Sequence, residues 1–306
     1  MVSELSILIP VYNFDIIPLV NELLKQCQQA AVRFEIICLD DASDLHFQEN
    51  NRKIKDLENV VYEELSINIS RANIRNKLAQ RARFSFLLFL DNDSGIIVKH
   101  FIIKYLRAAD QSKILIGGTV YSDVQPAPPY RLHWKFGWNR EQKPANLRNQ
   151  FPYRSLQVNN ALVPRSVFLQ FSFDEKIIHY GHEDSQWGKR LEQANVPVVH
   201  IQNPVQHLGV EPNHLFLIKT KQAIQNLHHL YFTEEIGKDT SLIKSFLWLS
   251  RIRLRTFYLQ FFKVVKPLLL LNLRSSWPSL FCLDLYKLGL FIQEDFTIKS
   301  SQPHAG

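Results

Sequence analysis

Short apolar runs alternate with stretches of helical spacing through the first 121 residues of the chain. The apolar runs end in proline, acids or turn formers, as buried strands do, whereas the stretches between them place apolar residues three and four positions apart. In chain order, the pattern predicts strands at 5–10, 34–44, 59–65, 86–90 and 114–121, and helices at 15–30, 46–58, 70–83 and 98–110. This alternation favours an α/β fold with a mainly parallel sheet that is covered by helices on both faces.

The pattern changes after residue 121. Residues 122–155 are rich in Pro, Arg and aromatic residues, which predicts a long loop of a kind that is usually functional or disordered. Beyond this loop, the spacing predicts a strand leading into a helix at 158–168, a glycine turn and a helix at 180–196, an extended segment at 197–209 and a helix at 212–232.

Acidic residues close two of the predicted strands. The run Phe86–Leu90 leads into Asp91 and Asp93, and the second strand ends in Asp40–Asp41. Neighbouring carboxylates repel each other unless a positive group lies between them, but Asp, Asn, Ser and Gly also favour solvated turns. Two interpretations therefore remain open. One is a turn, and the other is a divalent cation held at the carboxyl edge of the sheet, where such sheets bind ligands.

The composition is that of a globular protein with one large domain and room for an appendage. The 306 residues are 46% hydrophobic and 21% charged. Cys27, Cys38 and Cys282 show no metal-binding spacing, so we expect a reducing compartment without a disulfide framework. No charged leader precedes an apolar core at the N-terminus, and no stretch approaches the roughly 20 apolar residues of a membrane-spanning helix. We therefore expect neither a signal peptide nor a transmembrane helix.

The net charge of +7 is concentrated near the C-terminus. Residues 240–283 contain seven Lys and Arg and no acid, which leaves 29 basic and 29 acidic residues elsewhere. The segment 244–266 mixes large apolar and aromatic residues with Arg and Lys, a composition typical of elements that lie on a membrane surface or bind a partner. Packing on the rest of the chain and a dimer interface are the alternatives. We expect Pro267 to end this helix, and we expect no nucleic-acid partner because no nucleic-acid-binding fold accompanies the charge.

Seven separated motifs between residues 3 and 230 follow the order found in one known family. They are SILIPVYN (6–13), IICLDDASD (36–44), NISRANIRNKLA (68–79), FLLFLDNDSG (86–95), VNNALVPRSVF (158–168), FDEKIIHYGHEDSQWGKRL (173–191) and PVQHLG (204–209). This set resembles the inverting glycosyltransferases of family 2, of the bacterial surface-polysaccharide type. The resemblance implies the GT-A fold, which has a Rossmann-like nucleotide-binding half, an acceptor-binding half and a mainly parallel mixed central sheet. A catalytic domain would cover residues 1–235, and a basic, aromatic-rich helical extension would cover 236–306.

In this resemblance, the acids after the fourth strand belong to a metal site on the donor diphosphate. Asp93 corresponds to the metal-binding second acid of the family, Asp91 to the first acid, near the ribose or the metal, and His207 to a histidine that many members add to the metal shell. The implied cofactor is Mn²⁺ or Mg²⁺, and a carboxylate with an imidazole favours Mn²⁺. The alternatives are a solvated turn for the acids and a histidine bonded to backbone for His207.

Further residues are implied to contact the nucleotide. The set consists of Pro10, Val11, Tyr12, Asp41, Arg75, Asp91 and Asn92. Tyr12 would stack on the base, Asp41 would accept a hydrogen bond from the imide N–H, and Arg75 would face the nucleotide. A core aromatic, a helix cap and a solvated helix face are the respective alternatives for these three residues.

The motif GHEDSQWG supplies the implied catalytic residues. Asp184 corresponds to the general base that activates the acceptor hydroxyl, and its neighbour Glu183 is an alternative base or orients the acceptor. Both acids would also suit the N-terminus of a helix. Trp187 would offer a platform for an acceptor sugar, or it packs in the core, and Asn160 would contact the donor or the acceptor.

The implied protein is a metal-dependent inverting glycosyltransferase. It would move a hexosyl or hexosaminyl group from a nucleotide sugar, by family habit a UDP-sugar, to a glycan or lipid-linked glycan in cell-surface polysaccharide biosynthesis. It would work in the cytoplasm or peripherally on the inner face of the plasma membrane. The second motif is DDASD rather than the frequent DDGSxD. The QxxRW motif of processive synthases is missing from the sequence, and we expect no transmembrane helix, so we expect non-processive transfer. The alternatives are a nucleotidyltransferase, although no glycine-rich loop follows the first strand, and a catalytically inactive GT-A-like binding subunit.

Overall fold

A computed structural model describes residues 2–175, 181–238 and 240–301 of the chain. Residues 176–180, which belong to the sequence motif at 173–191, lie outside the described residues, as do residues 1, 239 and 302–306.

The described residues form two sheets. The strands are β1 (Glu4–Val11), β2 (Arg33–Asp40), β3 (Val60–Glu64), β4 (Phe86–Leu90), β5 (Ser94–Gly95), β6 (Ile114–Ile116), β7 (Thr119–Val120), β8 (Asn160–Pro164), β9 (Val198–His200) and β10 (Val205–His207). Seven of them form a central sheet in the order β3–β2–β1–β4–β8–β6–β9. Only β8 runs antiparallel to its neighbours in this sheet. The predicted mainly parallel α/β sheet is therefore confirmed.

The second sheet brings a distant segment next to the acids that follow β4. Its strand order is β5–β10–β7. Strand β10 runs antiparallel to β5, and His207 lies opposite Ser94, the residue after Asp93. Gly118, with a φ of 92°, turns the chain from β6 into β7, because glycine adopts this left-handed conformation without the steric penalty of a Cβ atom. The single strand predicted at 114–121 is therefore divided between the two sheets.

Five of the described helices cover the two faces of the central sheet, as the sequence pattern predicts. The helices are α1 (Ile17–Ala30), α2 (Leu45–Asn51), α3 (Arg71–Arg81), α4 (Phe101–Ala108), α5 (Arg131–Phe136), α6 (Ala145–Arg148), α7 (Arg165–Gln170), α8 (Glu183–Gln193), α9 (Asn213–Phe232), α10 (Ser241–Arg251), α11 (Arg255–Arg274) and α12 (Leu280–Ser301). Successive side chains of β1 point to opposite faces of the sheet. Ile7 and Ile9 accordingly share a core with α1 and α4, whereas Leu8 shares the other core with α3, α7 and α8.

The segment 122–155 is not the continuous loop that its composition predicts. It contains α5 and α6, together with a 3₁₀ turn at Pro128–Tyr130 and a π-helical turn at Gly137–Glu141. Composition misses these elements because each is shorter than two helical turns, so its apolar periodicity is too brief to recognise.

One buried arginine anchors the end of this segment to the central sheet. The Arg148 guanidinium donates to the carbonyl oxygens of Gly117 and Ile201, each at 2.9 Å, and to Nδ1 of His200 at 2.7 Å. Because Nδ1 of His200 accepts, its Nε2 carries the proton and donates to the Pro152 carbonyl at 2.9 Å. Burial, together with the positive charge of Arg148, lowers the pKa of His200 to about 4. The histidine therefore stays neutral and keeps this arrangement near neutral pH.

The C-terminal helices pack on one another. Helix α12 contacts α9, α10 and α11, and Arg255 Nη1 of α11 forms an ion pair with Asp295 Oδ2 of α12 at 2.8 Å. Helix α11 continues through Pro267, so the prediction that this proline ends the helix is wrong. Leu269 and Leu273, beyond the proline, are buried, and this packing favours helix despite the lost backbone hydrogen bond.

By compactness, the chain divides into two units. The first unit draws on residues 1–122, 140–178 and 183–209, and the second on residues 123–139, 179–182 and 210–306. Both sheets and the strand-end acids belong to the first unit. The boundary at residue 235 that the resemblance implies stays a prediction. Judged by length and hydropathy together, none of the described helices meets the requirements of a bilayer-spanning segment.

Asn160, at the start of β8, is used within the fold. Its side chain is fully buried. The Nδ2 group donates to the carbonyl oxygens of Gly118 at 2.8 Å and Asn203 at 2.9 Å, and Oδ1 accepts from the Tyr105 hydroxyl at 2.7 Å. These bonds hold the turn between β6 and β7 against β8. Because the side chain is fully buried among these partners, it does not face the solvent, where the donor or acceptor contact expected from the sequence would be made.

We expect Asn160→Ala to lower the free energy of unfolding by about 2 kcal/mol, because the Gly118 and Asn203 carbonyls would each lose a buried donor and the Tyr105 hydroxyl would keep only the backbone carbonyl of residue 160 as acceptor. Urea-induced unfolding measures this loss. The matched control is Asn139→Ala at an exposed position, which we expect to change the stability by less than about 0.5 kcal/mol. Equal and small losses in the two variants would contradict the structural role of Asn160.

Candidate active site

Asp91, directly after β4, is paired with a buried arginine. Arg75 of α3 places Nη2 2.5 Å from Asp91 Oδ1, and the Arg75 side chain is 4% exposed. The second turn of α3 carries this arginine to the carboxyl edge of the sheet, where α3 packs on β1 and β2. Asp91 therefore has a cation of its own within the protein. Asp93 has a different partner, which comes from the turn after β10.

Asp93 lies against the turn that follows β10. The amide of Leu208 donates to the Asp93 carbonyl at 2.8 Å, and His207 Nδ1 lies 3.4 Å from Asp93 Oδ2. A Cβ atom at Gly209 would lie 2.1 Å from Asp93 Oδ2, so only glycine permits this approach. In the HLG sequence, the missing side chain of Gly209 leaves room for the Asp93 carboxylate, and His207 places its imidazole beside the same carboxylate.

The two side chains change each other's acidity. Burial raises the pKa of Asp93, but the hydrogen bond and charge of His207, together with the charge of Arg71, outweigh burial and lower the pKa below its ordinary value. Burial lowers the pKa of His207, but the same carboxylate outweighs it and raises the pKa above the ordinary value. In the absence of a cation, Asp93 and His207 therefore favour the charged pair.

The geometry of this pair fits two adjacent ligands of one cation. Ligand atoms that bind Mg²⁺ at about 2.1 Å in octahedral geometry lie about 3 Å apart, and the Asp93–His207 separation is 3.4 Å. Within the described part of the chain, no group of three or more His, Cys, Asp and Glu side chains is arranged to hold a metal ion. The expected trio of Asp91, Asp93 and His207 is thus not assembled. The remaining positions of a cation would be filled by substrate phosphate or water, as is common for Mg²⁺ sites.

Glu183 and Asp184 begin α8, as expected for acids that suit a helix N-terminus. Asp184 Oδ2 accepts from the Val158 amide at 3.1 Å. Its other oxygen, Oδ1, is buried without a hydrogen-bond partner in the described structure. Burial, with the neighbouring charge of Glu183, raises the pKa of Asp184 to about 7. A carboxylate with one free oxygen and a pKa near neutrality is suited to accept a proton.

The ends of β1 and β2 hold the residues expected at the nucleotide. Tyr12 is 53% exposed, and its carbonyl accepts from Asn92 Nδ2 at 3.0 Å. Asp41 is buried, and its Oδ1 accepts from the Ile69 amide at 2.7 Å. Pro10 and Val11 are the last residues of β1, and the Val11 carbonyl accepts from the Asp41 amide at 2.8 Å. The structure therefore brings these residues together at one edge of the sheet.

Asp40 has a structural role. Its Oδ1 accepts from the Ser43 amide at 2.7 Å, and its Oδ2 accepts from the Tyr62 hydroxyl at 2.9 Å. Burial raises the pKa of Asp41, even though its hydrogen bond with Ile69 lowers it. The adjacent acids of the second motif thus differ in role. Both carboxylate oxygens of Asp40 accept hydrogen bonds within the fold, whereas Asp41 accepts its hydrogen bond from Ile69 through Oδ1 and has Oδ2 for another donor.

The structure adds two residues to which the motifs assign no role. Arg71, in the first turn of α3, lies 3.9 Å from Glu183 Oε1 and is close enough to Asp93 to lower its pKa. Its side chain is 49% exposed, and it lies between the Asp93–His207 pair and the acids at the start of α8. The Tyr121 ring centroid lies 5.2 Å from that of His207, and its hydroxyl donates to Glu141. Arg71 lies within the motif at 68–79 and Tyr121 lies outside the motifs, and the contacts of both residues join segments that are far apart in the chain.

Trp187 is fully buried and does not form a surface for an acceptor sugar. Its ring centroid lies 5.3 Å from that of Phe173 and 6.0 Å from that of Phe168, and its indole N–H donates to the Phe171 carbonyl. The expectation of an acceptor platform is therefore corrected in favour of the core alternative. The large aromatic side chain fixes α8, and so the acids at its start, on the sheet.

Sequence comparison relates the chain to known glycosyltransferases. The model of the family described as "Glycosyl transferase family 2" matches residues 6–170, which is more than half of the chain. Over 225 residues, the chain is 26% identical to chondroitin synthase from Escherichia coli, a match that covers 62% of this chain and 32% of that protein. The chain thus spans about a third of the length of this curated relative.

Structural comparison gives a consistent result for the fold. A mannosyltransferase of Pyrobaculum calidifontis, PcManGT, solved in complex with GDP-Man and Mn²⁺, superimposes with a TM-score of 0.51 at 13% identity over 76% of this chain and 65% of that one. Residues 1–349 of S. aureus TarS superimpose with a TM-score of 0.50 at 17% identity over 98% of this chain and 93% of that one. At these identities the likeness concerns the fold, which is a GT-A-type α/β domain followed by C-terminal helices.

The raised pKa of Asp184 predicts a pH-dependent stability difference. The folded protein favours the neutral carboxyl, so Asp184 costs no stability below the ordinary pKa of 3.8, and its cost grows until the pH has passed about 7. We expect Asp184→Asn to stabilise the protein more at pH 8 than at pH 5, by about 2.5 kcal/mol. Urea-induced unfolding at the two pH values measures the difference.

The exposed Asp56 provides the matched control, since we expect Asp56→Asn to give the same small change at both pH values. A gain for Asp184→Asn that does not depend on pH would contradict the raised pKa.

Proposed function

Because the chain belongs to glycosyltransferase family 2, we propose that it is a non-processive, metal-dependent, inverting glycosyltransferase. It transfers a hexosyl or hexosaminyl group from a nucleotide-sugar donor to a glycan or lipid-linked glycan in cell-surface polysaccharide biosynthesis. One observation carries the proposal: the Asp93 and His207 side chains meet 3.4 Å apart at the carboxyl edge of the sheet, the edge where open α/β sheets bind their ligands.

In this proposal, the nucleotide lies across the ends of β1, β2 and β4. Tyr12 offers an exposed ring for the base, and Asn92 fixes the backbone of Tyr12 through its carbonyl. Asp41 accepts from the base with the oxygen that Ile69 does not occupy. Arg75 and Asp91 hold each other and shape the floor beneath the ribose and diphosphate. UDP is our first choice, and GDP is the second, because GDP-Man is bound to the similar PcManGT.

Asp93 and His207 would hold a divalent cation, Mn²⁺ or Mg²⁺, on the donor diphosphate. The donor set of carboxylate and imidazole favours Mn²⁺, and PcManGT was solved with Mn²⁺. Such an ion, when bound, stabilises negative charge on the departing diphosphate as a Lewis acid. Arg71 is the second positive group of this region, and its half-exposed guanidinium is placed to contact the same diphosphate.

Asp184 is the general base in this mechanism. An inverting transfer needs a proton acceptor on the face of the sugar opposite the leaving group. The free Oδ1 of Asp184 takes the proton of the acceptor hydroxyl as the oxygen attacks the anomeric carbon. Glu183, held near Arg71, either orients the acceptor or is the alternative base. A pKa of about 7 for Asp184 lets the carboxylate form at neutral pH and still bind the proton well.

A polysaccharide-related acceptor is proposed from the relatives. The curated relative is a chondroitin synthase, although this chain spans only a third of it. The acceptor-binding half would include the segment 122–155. We propose that the protein works in the cytoplasm or on the inner face of the plasma membrane, with residues 240–283 in contact with the membrane surface.

The proposed function is tested by measuring the release of nucleoside diphosphate from a panel of UDP- and GDP-sugars with Mn²⁺, Mg²⁺ or EDTA. We expect metal-dependent release from at least one donor. We expect Asp93→Asn to lower this rate by at least about 100-fold, because the ion on the leaving group contributes several kcal/mol to the transition state. Asp56→Asn serves as the control and should retain the wild-type rate.

The thermal melting curve of each variant establishes that it is folded. If no nucleotide sugar binds or is hydrolysed with either ion, or if Asp93→Asn keeps the metal-dependent rate, the transferase proposal is wrong.

A further inference from the structure

Helix α11 has two apolar faces, of which only one is covered in the described structure. The inner face consists of Leu259, Phe262, Leu269 and Leu273, which are buried. On the opposite face, the residues Phe257, Phe261, Val264, Leu268 and Leu271 are exposed. These five, which we call the outer stripe, follow one another at intervals of four, three, four and three residues, the spacing of a single helix face. An amphipathic helix that only packed on its neighbours would need no second apolar face.

The outer stripe is long, continuous and strongly exposed. Val264 is 77% exposed, Leu271 71% and Phe257 70%. The five residues extend over 14 residue steps, or about 21 Å of helix. Two further aromatic side chains, Trp277 and Phe281, are 73% and 68% exposed just beyond the helix. The surfaces of soluble proteins rarely expose contiguous apolar patches of this extent unless the patch binds a protein, a ligand or a membrane.

The charges around the stripe indicate the chemistry of its partner. Residues 240–283 carry seven basic residues and no acid. The exposed basic side chains are Lys244, Arg251, Arg253, Lys263 and Arg274. Arg255 differs from them, because it is paired with Asp295. On the helix, Lys263 and Arg274 flank the stripe on one side rather than interrupting it, which leaves an apolar face beside a positive one.

We propose that the outer stripe of α11 inserts into the interface of an anionic lipid bilayer, with the flanking Lys and Arg at the headgroups. Apolar and aromatic residues on one face with basic residues beside them are the features of helices that lie in the plane of a membrane. The long stems of Lys and Arg allow their charges to reach the headgroups while the stripe is buried. A second copy of the chain would instead place two positive surfaces against each other, so charge complementarity favours the lipid surface.

The anionic bilayer is the partner for the membrane contact of the proposed function, and the biological purpose of this binding rests on that function. The binding itself needs no transferase chemistry. A failure of the nucleotide-sugar assay and a failure of membrane binding are therefore distinguishable.

Vesicle flotation of the full chain tests the inference, with phosphatidylcholine vesicles and vesicles that also contain phosphatidylglycerol. We expect binding to the anionic vesicles that weakens as salt rises. We expect Phe257→Ser/Phe261→Ser/Leu268→Ser to lower the partition constant by at least about tenfold, because apolar surface is no longer buried. Lys263→Gln/Arg274→Gln should lower it by about fivefold for each charge removed.

Two exposed apolar residues outside α11 supply the matched control, Ile97→Ser/Leu169→Ser, which should bind like the wild type. The stripe side chains are exposed, so the variant should keep the wild-type melting temperature. Quenching of tryptophan fluorescence by brominated lipid in the wild type gives a second measurement that requires no substitution.

Either of two results would overturn the inference. One is a wild-type chain that neither floats with anionic vesicles nor is quenched by brominated lipid. The other is a chain that sediments as a dimer, with the stripe variant monomeric and vesicle binding unchanged, since the stripe would then be an interface between copies.

Discussion

The site depends on the close approach of the turn after β10 to the acid after β4. The antiparallel pairing of β10 with β5 places His207 opposite Ser94, and Leu208 bonds to the carbonyl of Asp93. Gly209 makes the approach sterically feasible. Without this pairing, Asp91 and Asp93 would end a buried strand as two carboxylates with only one cation between them. With it, each acid has its own partner, Arg75 for Asp91 and His207 for Asp93.

The same separation of roles applies to the other acids. Asp40 is saturated by Ser43 and Tyr62, whereas Asp184 is bonded through one oxygen only. The elements that hold these acids are closely packed, because the sheet is covered on both faces and Trp187 of α8 packs against Phe168 and Phe173. Asp184, which has a carboxylate oxygen without a hydrogen bond, thus stands where the proposed transfer needs a proton acceptor. Asp40, whose two oxygens accept hydrogen bonds, stabilises the strand end beside the proposed nucleotide site.

Much of the fold was predictable from the sequence because strands buried on both faces are continuous apolar runs, as in β4 and β1. The placement of the candidate residues at the carboxyl edge of the sheet was predictable where motif residues follow such strands, as Asp91, Asp93 and Asp41 do. Prediction was poorest where long-range packing decides the outcome. Pro267 lies within a helix because the residues after it are buried, and Trp187 and Asn160 are core residues despite their place in the motifs. Arg71 and Tyr121 were missed because only the folded chain brings them to Asp93 and His207.

Pulsed electron paramagnetic resonance of Mn²⁺ in the presence of UDP tests the central claim most directly, because it detects nitrogen bound to the ion. If Asp93 and His207 hold the ion, the wild-type complex shows a ¹⁴N coupling that disappears in His207→Ala, and Asp93→Asn binds Mn²⁺ much more weakly. A tightly bound Mn²⁺–UDP complex without nitrogen coupling, or with a coupling that persists in His207→Ala, would contradict the claim that Asp93 and His207 form the cation site.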